Sequence, residues 1–125
     1  MRRAFLLLPV AALLAACGAG TTTYTAAKTR ACLTAHSSTV GAATGDIVAS
    51  TATGGAFRAH LADNFVTVVF GAKTADAGNI VDAYHRFKGG NVGIADVLFQ
   101  KGNAVLLWHQ HPSTADVAFV EACLK

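Results

Sequence analysis

Two histidines separated by a single residue, His109 and His111, have the residue type and spacing of a metal site. Side chains two apart on a strand point to the same face, and imidazole nitrogens are common metal ligands. Asp116 or His85 can supply a further ligand. The pair directly precedes Pro112, where histidines often lie at the surface or near a helix cap. Metal binding by His109 and His111 is therefore an alternative prediction, and the main prediction includes no cofactor.

Recognisable catalytic motifs are missing from the sequence. It contains no G-x-S-x-G, no H-E-x-x-H and no glycine-rich phosphate loop before a helix, and Glu121 is its single glutamate. Asp63 and Asp96 lie on different predicted hairpins, and nothing fixes them as a general acid and base. We expect a protein that is not an enzyme. A small hydrolase is the alternative, because catalytic groups can assemble from distant residues.

Residues 1–16 form a predicted export signal. Arg2 and Arg3 are followed by thirteen almost wholly apolar residues, 4–16, and this pattern is typical of a secretory signal peptide. At 1.5 Å per residue such a helix spans roughly 20 Å, which is short of the ~30 Å hydrocarbon core of a bilayer. A permanent membrane-spanning helix is therefore not expected.

The end of this signal, Leu14-Ala15-Ala16-Cys17, resembles the lipobox of bacterial lipoproteins. The resemblance implies a diacylglyceryl group on Cys17 and cleavage directly before it. Two acyl chains suffice for stable membrane attachment, so we expect the mature protein to be anchored to the cell membrane on its extracytoplasmic side. The alternative is an ordinary signal peptide that is cut elsewhere, for example after Ala19. In the lipoprotein prediction, residues 17–27 form the lipidated cysteine and a flexible tether, and residues 28–125 form one domain.

The charges of the mature chain argue against one class of partner. Without the signal, eight Lys and Arg face seven Asp and Glu, a net charge of +1. The basic residues are scattered singly, without the basic stripe that a nucleic-acid surface needs. We therefore expect no nucleic-acid partner.

The cysteine count agrees with the lipoprotein prediction. Assigning Cys17 to lipid leaves Cys32 and Cys123, which can pair across 91 residues. A disulfide closing a loop of this length contributes roughly 4.5 kcal/mol in chain-entropy models. Two reactive thiols are the alternative, but the chain has no C-x-x-C motif, and an oxidising compartment favours a structural bridge.

The first part of the domain predicts one helix and a long loop. Thr25 can cap a helix over residues 26–36. Residues 37–55 are rich in small side chains and predict a loop with one short edge strand, either near 39–40 or near 47–49.

The rest of the chain predicts two successive hairpin-helix units. Each unit has two strands, a turn and a helix with an N-terminal cap. The predicted strands cover 57–61, 65–70, 94–100 and 104–110, and the predicted helices cover 75–87 and the segment after Ser113. We expect a small single α+β domain: an antiparallel four-stranded sheet in ββαββα order, an extra N-terminal helix, and all helices on one face.

Both faces of these strands have large apolar side chains, so the face without helices needs another cover. The candidate interaction face comprises Phe65, Val69, Leu106 and Trp108, or the residues on the opposite side of the same strands. The long loop, a second copy in a homodimer, a protein partner or a small ligand can cover it.

The mature part is similar to small uncharacterised lipoproteins of high-GC Gram-positive bacteria. The similarity rests on the Ala-rich composition, the lipobox, Cys32-Leu33, Cys123-Leu124 and the G-N-x-V-x-x-W pattern at 102–108. It implies a location but no particular activity. We therefore expect a membrane-anchored, non-catalytic module that binds an unknown protein or small ligand.

Overall fold

A five-stranded antiparallel sheet in the order β1-β2-β3-β5-β4 organises the domain. The computed structural model describes residues 23–87 and 93–125, so Cys17 and the export signal lie outside the described residues. The elements are α1 (Ala26–Ala35), β1 (Thr39–Gly41), α2 (Ile47–Ser50), β2 (Ala56–His60), β3 (Phe65–Phe70), α3 (Thr74–Phe87), a 3-10 turn (Ile94–Asp96), β4 (Leu98–Lys101), β5 (Ala104–Trp108) and α4 (Thr114–Ala122). The predicted α+β class and the ββαββα order of β2 to α4 are confirmed, but the sheet has five strands instead of four.

Side-chain caps fix where three of the helices begin. Thr25 accepts a hydrogen bond from the Lys28 amide at the start of α1, and Ser113 accepts one from the Asp116 amide at the start of α4. Each cap satisfies one of the free amides of a helix N-terminus. Asp46 does the same for α2. The sequence predicts the first two caps but not the third.

The two faces of the sheet are covered by different helices. Helices α1 and α4 pack on one face, where the larger core comprises Leu33, Phe57, Ala59, Val66, Val68, Phe70, Ala104, Leu106, Trp108, Val120, Cys123 and Leu124. Helices α2 and α3 pack on the other face, where the core comprises Val48, Ala49, Val69, Ala77, Ile80, Tyr84, Val105 and Leu107. The expectation that all helices share one face is therefore wrong. Successive side chains of a strand alternate between the two faces of the sheet. Since β3 and β5 have apolar side chains on both faces, helices must cover both faces.

The two ends of the domain are joined beside α1. Cys32 and Cys123 form a disulfide with their Cα atoms 5.4 Å apart, which confirms the predicted bridge. The Thr25 amide donates to the Lys125 carbonyl at 2.6 Å, and the Lys125 amide donates to the Thr29 hydroxyl at 3.2 Å. Hydrogen bonds as well as the disulfide therefore hold α1 against the C-terminus.

The predicted loop over residues 37–55 contains two short elements. Strand β1 lies at the first of the two predicted positions, next to β2, with Val40 opposite Ala59. The second position, around Ile47, is a helical turn and not a strand, because Asp46 caps it. In the part of the chain that the structure describes, no helix is long and apolar enough to cross a membrane.

Candidate functional site

Helices α2 and α3 cover only part of their face of the sheet. The row formed by Ala56, Val69 and Val105 lies against them. The next row along the strands pairs Arg58 with Thr67 and Thr67 with Leu107. This second row borders a cavity, so a cationic and a hydroxyl side chain stand on an otherwise apolar sheet at the edge of the helical cover.

A phenyl ring in the third row links three neighbouring side chains. The ring of Phe65 stacks on the imidazole of His109, with centroids 4.3 Å apart and planes inclined by 15°. On its other side lies His60 at 5.4 Å. The guanidinium carbon of Arg58 lies 5.0 Å from the centroid of the Phe65 ring, within the range of a cation–π contact. Phe65 therefore restricts the orientation of the guanidinium group.

Arg58 brings a permanent positive charge to the wall of the cavity. Its Nε atom is buried and makes no hydrogen bond to any described residue. The one ion pair within residues 23–87 and 93–125 joins Lys101 to Glu121, so Arg58 forms no ion pair there, although the Asp46 carboxylate borders the same cavity. A buried donor without an acceptor costs about 1–3 kcal/mol, and more when the donor is charged. An acceptor from outside the chain would remove that cost.

The cavity beside Arg58 has the size of a small-molecule site. Its volume is about 420 Å³, within the ~300–1,000 Å³ range of ligand pockets. Its lining residues are Asp46, Arg58, Phe65, Thr67, Gly93, Ile94, Val97, Leu107, Trp108 and His109. The indole of Trp108 itself packs in the core on the opposite face. The cavity wall thus combines the Arg58 cation, the Asp46 carboxylate, the Thr67 hydroxyl and apolar side chains. This set suits a small ligand that places an anionic group at Arg58 and an apolar body against the apolar side chains.

Asp46 forms part of the cavity wall, held by two donors. Its Oδ1 accepts from the Ala49 amide at 3.0 Å, and its Oδ2 accepts from the Tyr84 hydroxyl at 2.7 Å. Burial, followed by the hydrogen bond to Asp46, raises the pKa of Tyr84 well above its ordinary range. Tyr84 therefore stays protonated and keeps donating to Asp46, which makes this carboxylate a fixed part of the wall.

The four residues of the predicted interaction face do not share a face. Phe65 lies on the α3 side with the cavity and Val69 lies in the smaller core, whereas Leu106 and Trp108 lie in the larger core under α1 and α4. Trp108 is only 2 % exposed. The prediction that these four residues form one interaction face is therefore wrong, and Trp108 is a core residue in this structure.

The two histidines predicted as a metal pair have separate contacts. His109 stacks on Phe65, and the Nδ1 of His111 lies 3.2 Å from the carbonyl oxygen of Asp96. Within the described residues, no cluster of three metal-ligating groups includes either histidine. Asp116 lies in the first turn of α4, where its amide donates to the Ser113 hydroxyl.

Sequence reasoning missed Arg58, Thr67 and the pair of Asp46 and Tyr84. A usable signal was present for the first two. Each is a polar residue in the middle of an apolar strand, and pairing the two strands around the turn at 62–64 places Arg58 opposite Thr67. No comparable signal exists for Asp46 and Tyr84, which meet across 38 residues.

Comparison with known proteins found no similar family model, no similar curated protein and no similar solved structure. The chemistry of the cavity is therefore the main indication of function.

Proposed function

We propose that this chain is a lipid-anchored extracytoplasmic binding module, and that it binds a small organic anion in the cavity beside Arg58. The observation that supports this most directly is the position of Arg58 in the cavity wall, together with the absence of an acceptor for its Nε among the described residues. A carboxylate or phosphate oxygen is the natural partner of a guanidinium group, because the two form short, charge-assisted hydrogen bonds.

The neighbours of Arg58 favour a planar carboxylate as the anionic group. The planar guanidinium matches a carboxylate in a bidentate pair, and the cation–π contact with the Phe65 ring leaves its edge free for such a pair in our proposal. Thr67 lies directly opposite Arg58 in the sheet and borders the same cavity, so its hydroxyl can donate to the same group.

The apolar wall favours a ligand with an apolar body. Ile94, Val97 and Leu107 line the cavity together with the Phe65 ring. Each square ångström of apolar ligand surface that they remove from water contributes about 25 cal/mol. Small aromatic carboxylates combine these two requirements, so benzoate and phenylacetate are suitable probes.

The anchor is supported by the lipobox-like Leu14-Ala15-Ala16-Cys17. In this proposal the lipid on Cys17 keeps the domain at the outer surface of the membrane, and the residues between Cys17 and Tyr24 form the tether. The tether is shorter than the predicted 17–27 segment, because Tyr24 bonds to Asn103 and α1 begins at Ala26. The module would then bind its ligand outside the cytoplasm.

Calorimetric titration of the detergent-purified protein with benzoate tests the binding site. We expect weak binding, with a Kd of about 1 mM, as is usual for a probe of this size. Arg58→Gln should weaken it at least about tenfold, because a hydrogen bond to a charged group contributes about 1.5–3 kcal/mol. Benzamide has the same shape as benzoate but no charge. Its affinity for the wild-type protein should therefore be no higher than the affinity of benzoate for Arg58→Gln.

The matched control is Arg30→Gln, since Arg30 is an exposed arginine on α1. It should leave benzoate binding unchanged. Equal weakening by both substitutions, or equal binding of benzoate and benzamide, would contradict an anion site at Arg58.

A further inference from the structure

Three potential metal ligands meet at the junction of α1 with the C-terminus, away from the cavity. Cys32 and His36 are one helical turn apart, and Cys123 is the C-cap residue of α4. The Sγ atoms of the two cysteines and a ring nitrogen of His36 all lie within 4.8 Å of one another. The two sulfur atoms are bonded to each other in this structure, and the ligand atoms of a tetrahedral zinc site are separated by roughly 3.5 Å. After reduction the two sulfur atoms must therefore move apart to this spacing, with the His36 ring nitrogen close by.

The contacts around this cluster do not depend on the disulfide. Thr25 and Thr29 of the first helical segment bond to Lys125, and Leu33 packs in the same core as Leu124. These contacts hold α1 against the C-terminus, so Cys32 and Cys123 remain neighbours when the bond between them is reduced.

We propose that the reduced form of this protein binds one zinc-like divalent cation through the Sγ atoms of Cys32 and Cys123 and a ring nitrogen of His36. A dithiol reductant supplies two electrons and two protons to the disulfide, becomes a disulfide itself and leaves two cysteine thiols. The cation then displaces one proton from each thiol and binds the two thiolates, with a water molecule in the fourth position. The disulfide and the metal site are alternative states of the same two sulfur atoms.

The ligand set determines which ions fit. Two thiolates and one imidazole favour zinc or cobalt over magnesium or calcium, which prefer oxygen ligands. The ring of Phe119 meets the His36 ring edge-on, with centroids 6.2 Å apart, and this contact limits the rotation of the imidazole. His36 is exposed, whereas Cys123 is buried, so an ion can enter from the solvent side.

Cobalt(II) titration is the direct test, because sulfur-to-cobalt charge transfer absorbs in the near ultraviolet. The protein is the full chain with Cys17→Ser in detergent, so that Cys32 and Cys123 are its only cysteines. It is reduced with dithiothreitol, which is removed without air before cobalt(II) is added. We expect one equivalent to bind with charge-transfer bands and the strong visible bands of a four-coordinate ion. The oxidised protein should show neither.

Two histidine variants separate this site from surface binding. His36→Ala should weaken cobalt binding at least about tenfold, since it removes one of three protein ligands. His85→Ala, at an exposed position on α3, should not weaken it. Circular dichroism establishes that each variant is folded, and His36→Gln replaces His36→Ala if the latter is not. The proposal is overturned if the reduced protein shows no charge-transfer band, if the oxidised protein binds cobalt equally well, or if the two histidine variants bind alike.

Discussion

The guanidinium carbon of Arg58 lies 5.0 Å from the centroid of the Phe65 ring, and that ring stacks on His109 at 4.3 Å. The Phe65 ring therefore contacts both Arg58 and His109 at the edge of the cavity. The contact with the Phe65 ring restricts the orientations that the guanidinium can adopt before a ligand binds. Such pre-organisation reduces the entropy that binding must overcome.

Phe65→Leu should weaken benzoate binding by about two- to fivefold, because a cation–π contact contributes about 0.5–1 kcal/mol. The side chain stays apolar, so the change removes the ring and little else. Calorimetric titration measures the effect. Phe99→Leu is the control, since Phe99 packs against the core on the opposite face, and it should leave the affinity unchanged. Wild-type affinity in Phe65→Leu would show that the ring does not position Arg58.

Trp108→Ala should lower the free energy of unfolding by about 3–5 kcal/mol, as expected for the loss of a large side chain from a packed core. Chemical denaturation followed by circular dichroism measures this loss. Phe87→Ala serves as the comparison, because Phe87 is 69 % exposed, and it should change stability by less than about 0.5 kcal/mol. A similarly small loss for Trp108→Ala would favour the original expectation of an interaction surface at Trp108.

The stability of the protein should fall at alkaline pH because of Tyr84. Burial, and after it the bond to Asp46, raises the pKa of Tyr84 in the folded protein above the ordinary tyrosine value of about 10. Below pH 10 Tyr84 is protonated in both the folded and the unfolded chain, so its full contribution to the free energy of unfolding is present. At higher pH the unfolded chain loses this proton while the folded chain retains it, so stability decreases by at most about 1.4 kcal/mol per pH unit.

Tyr84→Phe should remove this part of the pH dependence, and it should also lower stability at neutral pH by about 1.5–3 kcal/mol because Asp46 loses a donor. Denaturation curves at several pH values on either side of pH 10 measure both effects. An alkaline slope identical in wild type and Tyr84→Phe would contradict the assignment to Tyr84.

Cys17→Ser should abolish membrane retention of the exported protein, because the lipid is the only membrane attachment in our proposal. Fractionation with detergent-phase partitioning measures retention. Cys32→Ser is the control, since it removes another cysteine but keeps the lipobox, and it should leave the protein in the membrane fraction. If Cys17→Ser partitions like the wild type, the protein is not anchored through Cys17.

Local sequence signals predicted many of the elements well. The cap at Thr25, the hairpin of β2 and β3, and the cap at Ser113 all depend on residues that are close in sequence. The disulfide between Cys32 and Cys123 could be predicted once Cys17 was assigned to lipid, because two cysteines leave a single pairing. These features need no knowledge of the tertiary packing.

The distribution of helices between the two faces could not be predicted in this way. Val68 and Val69 are equally apolar neighbours, yet they lie in different cores. Nothing in their residue types indicates which helix each will contact. The cavity could not be predicted for the same reason. It lies beyond the part of the sheet that α2 and α3 cover, so its position depends on where these helices pack. The strand pattern could place Arg58 opposite Thr67, but it could not show that both residues border a cavity.

The chemical shift of the Arg58 Nε–H group during a benzoate titration shows whether Arg58 binds the anion. In protein labelled with ¹⁵N at arginine side chains, Arg58→Lys identifies the Arg58 signal by its disappearance. Our account predicts that this signal moves with benzoate concentration, as expected for a new hydrogen bond to a carboxylate, while the Arg30 and Arg86 signals stay in place. An Arg58 signal that does not move while benzoate binds would contradict an anion site at Arg58.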